Sequence, residues 1–284
     1  MMIRNSILSS LCITALVTFL VIDLARAATE TFDETYEVGS GTRFEIRNRN
    51  GSINIQGWDR NQIKVQATKK THWGGKLENV KIQVSPGADF KIETIHLVKK
   101  PRVSVSYDIR VPVNVNVKIV QTSNGKIELE ATHGDTKVET SNGKIEIEDT
   151  FGNIDARTSN GAIEIENVMG FVSARTSNGA IDVENVTGVA ELETSNGAIE
   201  TDVQGIGENG SRIRTSNGAI DLNFSSELNV DIEAKTSNGK VKLDGIEVAV
   251  NEISKNRLHG KIGKGGKKIS CKTSNGSITL RKLK

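Results

Sequence analysis

The sequence is poor in cysteine, proline and aromatic residues, and each scarcity excludes a class of protein. Its 284 residues include two Cys, three Pro and 4% aromatic side chains. One cysteine lies in an apolar N-terminal segment, so the rest of the chain has only Cys271 and forms no internal disulfide. Few aromatic rings argue against stacking platforms for single-stranded nucleic acid or sugars. With 36% hydrophobic residues the chain can bury a core, which argues against wholesale disorder.

A strong net charge is also missing, because the formal total is only +2. No global field therefore favours nucleic acid as a partner. Charge is nevertheless segregated along the chain. Residues 28–121 hold 15 basic and 10 acidic side chains, residues 122–203 hold 5 and 16, and residues 204–284 hold 15 and 8. The near-neutral total hides a basic, an acidic and a second basic segment.

The first 27 residues are predicted to be a secretory signal peptide. Arg4 supplies positive charge, residues 6–24 are mostly apolar, and residues 25–27 (Ala-Arg-Ala) fit a cleavage site, so the mature chain starts at Ala28. An uncleaved signal anchor is the alternative. No later apolar run is long enough to span a bilayer, and Cys12 lacks the small preceding residue of a lipoprotein site. We therefore expect an exported protein that is periplasmic, cell-surface or secreted.

The tetrapeptide Thr-Ser-Asn-Gly occurs eight times, and its spacing indicates a repeat architecture. It begins at Thr122, Thr140, Thr158, Thr176, Thr194, Thr215, Thr236 and Thr273. Four spacings are 18 residues, two are 21 and the last is 37. Residues after each Asn-Gly alternate between apolar and charged, as in residues 144–148 (Lys-Ile-Glu-Ile-Glu), which is typical of a strand with one buried face. A second turn and a second strand complete the period, and we expect the glycines at both turns to supply positive φ.

The alternation predicts two inward-facing columns rich in β-branched side chains. The first runs Ile127, Ile145, Ile163, Ile181, Ile199, Ile220, Val241, Ile278. The second runs Leu129, Ile147, Ile165, Val183, Thr201, Leu222, Leu243, Leu280. Cys271 falls at an inward-facing phase, so we expect a buried and inert thiol.

Two all-β architectures fit this period. In a parallel β-solenoid each period is one coil, and like residues stack about 4.8 Å apart. In an antiparallel meander Asn-Gly is instead a hairpin turn. About sixteen meandering strands exceed what an open twisted sheet usually holds, and a membrane barrel needs apolar outer faces. The sequence therefore favours a single-chain parallel β-solenoid (β-helix), right-handed by the general crossover preference, with two short strands per coil of about 18 residues.

The solenoid register predicts three outward columns. The first is a structural column of side-chain amides: Asn124, Asn142, Asn160, Asn178, Asn196, Asn217, Asn238, Asn275. The second is an acidic stripe: Glu128, Glu146, Glu164, Asp182, Glu200, Asp221. The third lies beside the stripe: Glu130, Glu148, Glu166, Glu184, Asp202. Like charges at this spacing repel by about 1 kcal/mol per pair in water. The stripe is therefore either a solvated face with shifted pKa values or a surface that binds divalent cations through paired carboxylates.

A basic run lies near the C-terminus and allows two interpretations. Its members are Lys255, Arg257, Lys261, Lys264, Lys267 and Lys268, with no acidic residue beside them in sequence. The run either binds an anionic surface, such as lipid headgroups or polysaccharide, or forms a solvated loop that covers the end of the solenoid.

No catalytic residue and no cofactor are expected. The four histidines are scattered without the spacing of metal ligands, and they are His72, His96, His133 and His259. Acidic pairs recur in coil after coil, whereas a catalytic pair is an exception to a repeat. We expect a non-enzyme, and the alternative is a polysaccharide-active lyase or hydrolase on a β-helix. Ice binding is disfavoured because the repeated threonines turn inward.

The N-terminal half carries a degenerate copy of the repeat. Residues 50–53 (Asn-Gly-Ser-Ile) are followed by residues 57–59 (Gly-Trp-Asp) and, later, by residues 111–112 (Val-Pro). With the repeat, this order resembles the bacterial β-strand-repeat family of unknown function labelled "putative adhesin", and it is similar to autotransporter adhesin-head-like solenoids. The resemblance implies an exported parallel β-solenoid without catalytic residues to carry over. Candidate partners are cell-surface polysaccharide, envelope components or another protein, but not nucleic acid.

The chain accordingly divides into three parts. Residues 1–27 are the signal peptide, residues 28–121 are an N-terminal β region with degenerate coils, and residues 122–284 are the repeat solenoid. Residues 70–100 interrupt the first coils with a predicted hairpin whose tip is residues 84–88. We expect this hairpin and the basic C-terminal insertion to cover the two open ends, which prevents edge-to-edge growth.

Overall fold

The structure is a computed structural model that describes residues 27–283, and this part of the chain is almost wholly β. The predicted signal peptide before Ala27, including Cys12, lies outside the described residues. The helical content of residues 27–283 is a single 3-10 turn, Leu77–Asn79. The strands are β1 Thr29–Glu37, β2 Arg43–Arg47, β3 Ile53–Trp58, β4 Gln62–Thr71, β5 Val80–Ser85, β6 Asp89–His96, β7 Val103–Pro112, β8 Asn116–Gln121, β9 Ile127–Glu130, β10 Thr136–Glu139, β11 Ile145–Phe151, β12 Ile154–Arg157, β13 Ile163–Arg175, β14 Ile181–Glu193, β15 Ile199–Val203, β16 Ser211–Arg214, β17 Ile220–Phe224, β18 Val230–Thr236, β19 Val241–Asp244, β20 Ala249–Ser254, β21 Arg257–Ile262, β22 Lys267–Thr273 and β23 Ile278–Lys282.

The 23 strands belong to one long sheet that is folded into two ladders. Ladder A holds, in spatial order, β5, β6, β2, β8, β10, β12, the second halves of β13 and β14, β16, β22, β18, β21 and β20. Ladder B holds β1, β4, β7, β3, β9, β11, the first halves of β13 and β14, β15, β17, β23 and β19. The chain passes from one ladder to the other at two corners, one of which is Thr-Ser-Asn-Gly.

The coils stack in parallel and in register, as the solenoid interpretation predicts. Ile145 pairs with Ile127 on one side and with Ile163 on the other, and Glu146 pairs in the same way with Glu128 and Glu164. The antiparallel meander is therefore excluded for the central repeats. The inward residues of both ladders form one continuous apolar cluster. Burial of each such side chain contributes about 1.5–3 kcal/mol, so stacked neighbours supply the core that a single coil lacks.

Both ends of the stack depart from sequence order. At the C-terminal end β22 lies between β16 and β18, and β23 lies between β17 and β19. At the N-terminal end β2 lies between β6 and β8, and β3 lies between β7 and β9. The first coil and the last coil of the chain are thus both second from an end of the stack.

This intercalation corrects the predicted columns at their C-terminal end. Ile278 pairs with Ile220 and Leu280 pairs with Leu222, so Val241 and Leu243 come last in space. Because no further coil covers them, Val241 is half-buried and Leu243 is exposed. The spacing of 37 residues provides the length for this path, since the chain forms β20 and β21 before it returns as β22.

Antiparallel strands cover both ladders at the N-terminal end of the parallel stack, whereas at the C-terminal end β21 and β20 cover ladder A and the parallel strand β19 ends ladder B. Ladder B begins with β1 and β4, which pair antiparallel to each other and to β7, and ladder A begins with the β5–β6 hairpin. The hairpin at residues 84–88 is confirmed, but β6 is also an arm of the outermost parallel coil, because β6 pairs in parallel with β2 and β7 pairs in parallel with β3. At the other end, the predicted loop of residues 255–268 is wrong, since it contains β21 and the start of β22. A reversed strand presents a different hydrogen-bonding pattern at the edge, which opposes continued parallel stacking.

The Asn-Gly corner depends on close backbone approach and not on positive φ, which corrects the expected role of its glycines. From Gly125 onward, none of the corner glycines has a φ in the left-handed region. A Cβ on Gly161 would instead lie 2.0 Å from the carbonyl oxygen of Gly143, and each coil repeats this approach. The buried hydroxyl of Thr158 donates to the same oxygen at 3.1 Å. The threonine hydrogen bond and the close approach at glycine together hold successive corners in contact.

Positive φ is concentrated at the second corner, where the sequence varies. Ala131, Asp149, Asn167 and Asn185 occupy equivalent positions with φ of 52°, 52°, 55° and 48°. Glycine with positive φ follows in two of the coils, at Gly134 and Gly152. Asparagine and aspartate adopt this region more readily than other non-glycine residues, which explains their recurrence here.

We predict that Gly161→Ala destabilises the protein by about 2–3 kcal/mol or more, because the new methyl group overlaps a backbone oxygen that cannot move independently of its coil. Gly39→Ala is the matched control, since nothing lies within 4 Å of a Cβ at that position. Urea unfolding monitored by circular dichroism measures both. Equal midpoints for the two variants would contradict the close-approach role of the corner glycines.

Candidate functional site

The repeated asparagines form a continuous ladder along one corner of the solenoid. Each Nδ2 group donates to the Oδ1 of the asparagine on the neighbouring coil, at 2.7–2.9 Å. The ladder runs Asn50, Asn124, Asn142, Asn160, Asn178, Asn196, Asn217, Asn275, Asn238. It includes all eight predicted members and adds Asn50 from the degenerate N-terminal copy. Each exposed amide thus has a fixed orientation, and a neutral hydrogen bond of this type contributes about 0.5–1.5 kcal/mol.

The acidic stripe lies on the outer face of ladder B, and lysines neutralise its first part. Lys126 contacts Glu128 at 2.6 Å and also reaches Glu146 on the next coil. Lys144 contacts Glu146 at 2.6 Å and reaches Glu164. Each lysine thus bridges two stacked carboxylates. Burial alone raises the pKa of the Glu146 carboxyl, but hydrogen bonds from both lysines outweigh it and lower the pKa below its usual value.

In the following coils alanine occupies the position of this lysine, so those coils supply no lysine of their own to neutralise the stripe. The substituted positions are Ala162, Ala180, Ala198 and Ala219. Arg281 then contacts Asp221 at 3.1 Å at the far end of the stripe. Between these two neutralised ends lies a group of carboxylates from three successive coils that we call the acidic patch: Glu166, Asp182, Glu184, Glu200 and Asp202.

Two carboxyl groups of the acidic patch, those of Asp182 and Glu184, have raised pKa values. Burial raises the pKa of the Asp182 carboxyl most, and the negative charges of Glu200 and Glu164 raise it further. The charge of Asp182 is in turn the largest cause of the raised pKa of Glu184, with burial second. Within residues 27–283, no cluster of three or more His, Cys, Asp or Glu side chains has the geometry of a metal site. Divalent cation binding by the stripe therefore stays a prediction.

The basic run does not form one patch in the structure. Arg257 at the start of β21 contacts Glu252 at 3.4 Å, and Lys268 on β22 pairs with Glu233. Lys261 and Lys268 both lie opposite Asp231 in the sheet register. Neighbouring strands thus supply acidic residues that are absent from the local sequence. Lys255, Lys264 and Lys267 are exposed near the ends of these strands.

An exposed apolar ridge at the second corner is the surface that sequence analysis missed. We call it the corner ridge, and it consists of His133, Phe151, Met169 and Phe171. The His133 and Phe151 rings stack with centroids 4.5 Å apart, and Phe151 lies in register with Met169 on the next coil. Phe151 is 45% exposed and Met169 is 64% exposed. Adjacent large apolar side chains facing solvent on a charged protein indicate a contact surface.

A shallow cleft lies on each side of the corner ridge. The first, of about 360 Å³, is lined by Phe171 with Asn153, Arg157 and Arg175. The second, of about 490 Å³, is lined by Phe151 and Met169 together with Asn167, Asn185 and Gln204, among others. Asn185 Nδ2 donates to Asn167 Oδ1 at 2.6 Å, so these amides are also held in place. Apolar faces bordered by oriented amide groups can hold a ligand that has both C–H faces and hydroxyl groups.

The sequence does contain a signal for the corner ridge. Alignment on the second-turn glycines places a large side chain directly before the glycine in three successive coils: His133, Phe151 and Met169. The residues before them, Thr132, Thr150 and Val168, are buried, so the alternation turns the large side chains outward. The Thr-Ser-Asn-Gly repeat at the first corner is the more regular pattern and masks this second alignment.

The other three histidines and Cys271 lie outside the corner ridge. His72, His96 and His259 lie on separate elements and away from the corner ridge. Cys271 is fully buried, as predicted, and burial raises the pKa of its thiol well above the usual value, which keeps it protonated. Across residues 27–283, the structure contains no helix of the length and apolarity needed to cross a bilayer.

Comparison with known proteins identifies relatives of the whole fold. The profile of the Toastrack DUF4097 family matches residues 40–281. A search of curated proteins gives no match. The match to the family profile confirms the predicted resemblance to a bacterial repeat family of unknown function.

Three crystal structures are similar to this chain at low identity. The chain is 12% identical to a "putative adhesin" from Bacteroides fragilis, with a TM-score of 0.47 and coverage of 89% of this chain and 97% of the other. A "putative cell adhesion protein" from Clostridium sporogenes is 13% identical, with a TM-score of 0.27 and coverage of 89% and 100%. A "putative adhesin" from Parabacteroides distasonis is 11% identical, with a TM-score of 0.43 and coverage of 88% and 97%.

We predict that Asp182→Asn stabilises the protein at neutral pH by up to about 1 kcal/mol, after allowance for solvent screening. The raised pKa means that ionised Asp182 costs stability above its folded pKa, and that this cost disappears as the pH falls below the ordinary aspartate value. Melting temperatures measured between neutral pH and about pH 3 test this.

Glu146→Gln is the matched control of opposite sign. Its pKa is lowered, so the ionised form stabilises the fold at neutral pH and the stabilisation is lost as the pH falls through the folded pKa. The substitution should lower the melting temperature at neutral pH and have little effect in acid. If both variants shifted the melting temperature in the same direction at neutral pH, the assignment of neutralised and repelling coils would be wrong.

Proposed function

Because the chain belongs to the Toastrack DUF4097 family, we propose that it is an exported, non-catalytic, adhesin-like surface module that offers a repetitive binding face. The observation that carries the proposal is the recurrence of the same outward positions in coil after coil, from the asparagine ladder to the acidic columns. Equivalent sites at a fixed spacing suit a ligand that is itself repetitive. Many weak contacts then add up to firm attachment.

Export and coil geometry belong to the same proposal. The apolar segment at residues 6–24 and the small residues at 25–27 support export to the periplasm, the cell surface or the medium. We propose right-handed coiling with about 18 residues per coil, in keeping with the 18-residue offset of the asparagine contacts and with the general handedness of parallel crossovers.

The corner ridge is the contact surface that we assign to this function, and its ligand class is a polysaccharide. The exposed parts of the Phe151 and Met169 side chains offer apolar surface on which the C–H groups of a sugar can pack. Asn167, Asn185 and Gln204 present amide groups to hydroxyls beside it. Both clefts are open along the surface, which suits a polymer that extends past the site. Such binding needs no catalytic residues.

Retention of the pure protein on a panel of immobilised cell-surface polysaccharides tests the function. We predict that Phe151→Ser with Met169→Ser weakens retention at least about tenfold, because the double change removes the two most exposed apolar side chains of the corner ridge. Ile253→Ser is the control, since Ile253 is also exposed but lies on β20 at one end of ladder A.

The same incubations are assayed for new reducing ends and for unsaturated products. Retention without turnover supports a binding module. Turnover of any polysaccharide would contradict the non-catalytic assignment and favour a lyase or hydrolase. Retention that survives the double substitution would remove the corner ridge from the proposal.

A further inference from the structure

Two loops at the N-terminal end of the solenoid contact each other. The first follows β4 at residues 72–79, and the second precedes β7 at residues 97–102. The backbone N–H of His72 donates to Arg102 O at 2.7 Å, and Arg102 Nη1 donates to Trp73 O at 2.7 Å. The backbone N–H of Leu97 donates to Asn79 O at 2.9 Å. These bonds hold the loops together, so their side chains share one surface, which we call the basic tip.

The apolar side chains of the basic tip face solvent. Trp73 is 93% exposed, Leu97 is 61% exposed and Val98 is 43% exposed. Trp73 also has a φ of 38°, in the left-handed region that bulky residues rarely adopt. The loop thus holds one of the two tryptophans of the chain outward in a strained backbone conformation. Strain of this type persists at functional positions more often than elsewhere.

Positive charge surrounds these apolar side chains. The end of β4 and the two loops contribute five basic residues, and they are Lys70, Lys76, Lys99, Lys100 and Arg102. The same segments contain one acidic residue, Glu78, which lies 3.7 Å from Lys76. Basic residues around exposed Trp, Leu and Val side chains are typical of surfaces that rest on anionic lipids.

The chain enters the described fold at the basic tip. The backbone N–H of Ala28 donates to Thr71 Oγ1 at 2.8 Å, and that of Thr71 donates to Ala28 O at 2.9 Å. Thr29 pairs with Lys70 in the sheet register. The described chain therefore begins close to Trp73. Cleavage after Ala27 would place the α-amino charge of Ala28 at the same position.

We propose that the basic tip docks on the surface of an anionic lipid bilayer. Trp73, Leu97 and Val98 enter the interfacial region, and the surrounding lysines and Arg102 contact the headgroups. The solenoid is then held by its N-terminal end, and the corner ridge on the central coils stays clear of the lipid. This inference is independent of the proposed polysaccharide ligand, because it concerns different residues at a different part of the chain.

Sedimentation with lipid vesicles tests the proposal. All described strands lie between Thr29 and Lys282, so the test uses the chain from Ala28 onward. Vesicles of equal parts phosphatidylglycerol and phosphatidylcholine should bind the protein, added salt should weaken binding, and vesicles of phosphatidylcholine alone should bind it at least about tenfold more weakly. In a Trp58→Phe background, the emission of Trp73 should shift to shorter wavelength on binding to the mixed vesicles.

Substitutions separate the two contributions of the basic tip. Trp73→Ser with Leu97→Ser and Val98→Ser, and separately Lys99→Gln with Lys100→Gln, should each weaken binding to mixed vesicles about tenfold or more. Ile253→Ser is the matched control, because it removes an exposed apolar side chain elsewhere on the surface. Unchanged melting temperatures for all variants establish that the fold is intact.

Several outcomes would overturn the proposal. They are equal binding to both vesicle types, no binding to mixed vesicles, and binding without a change in Trp73 emission. Binding to a soluble anionic polysaccharide that depends on Lys99 and Lys100 but not on Trp73, without vesicle binding, would assign the tip to polysaccharide instead. Loss of polysaccharide retention in the corner-ridge variants does not affect these vesicle measurements, so the two proposals fail separately.

Discussion

The close approach of successive Asn-Gly corners is the constraint on which the solenoid depends. A glycine carbonyl of one coil accepts from a buried threonine hydroxyl of the next, and the glycine of that next coil leaves no room for a Cβ beside it. This contact sets both the distance and the register between coils. Once the register is set, every other column follows, because residues at equivalent positions must lie over one another. The tetrapeptide therefore determines how the coils stack, whereas the residues between its copies determine which side chains the surface presents.

Strict register has an electrostatic cost that the chain relieves in only some of its coils. Identical carboxylates lie over one another, and Lys126 and Lys144 bridge them in the first repeats. Alanine replaces lysine in the middle repeats, where burial and neighbouring carboxylates raise the pKa of Asp182, and the charge of Asp182 together with burial raises the pKa of Glu184. The acidic face and the exposed corner ridge thus occupy neighbouring coils.

Periodicity predicted the parallel stack, the inward columns, the buried Cys271 and the asparagine ladder, because each follows from one fixed period. It could not predict the order of coils at the ends. The segments after Thr236 and Thr273 carry nearly the same pattern, so either could lie next to β17, and only the sheet register decides between them. The corner ridge was missed because its signal lies at the second turn, and the basic tip because its loops interrupt the repeat. The pairing of the basic run with Glu233 and Glu252 depends on neighbouring strands, which local sequence does not reveal.

The intercalated coils also constrain how the molecule is made and how it can evolve. The last strands of the chain, β22 and β23, lie between two coils that precede them in sequence, so the C-terminal end of the stack is complete only when the whole chain is available. For the same reason, a duplicated repeat fits more readily in the middle of the array than after β23, because both neighbouring positions of the last coil are already occupied. Such a protein therefore lengthens by insertion of repeats between those already present.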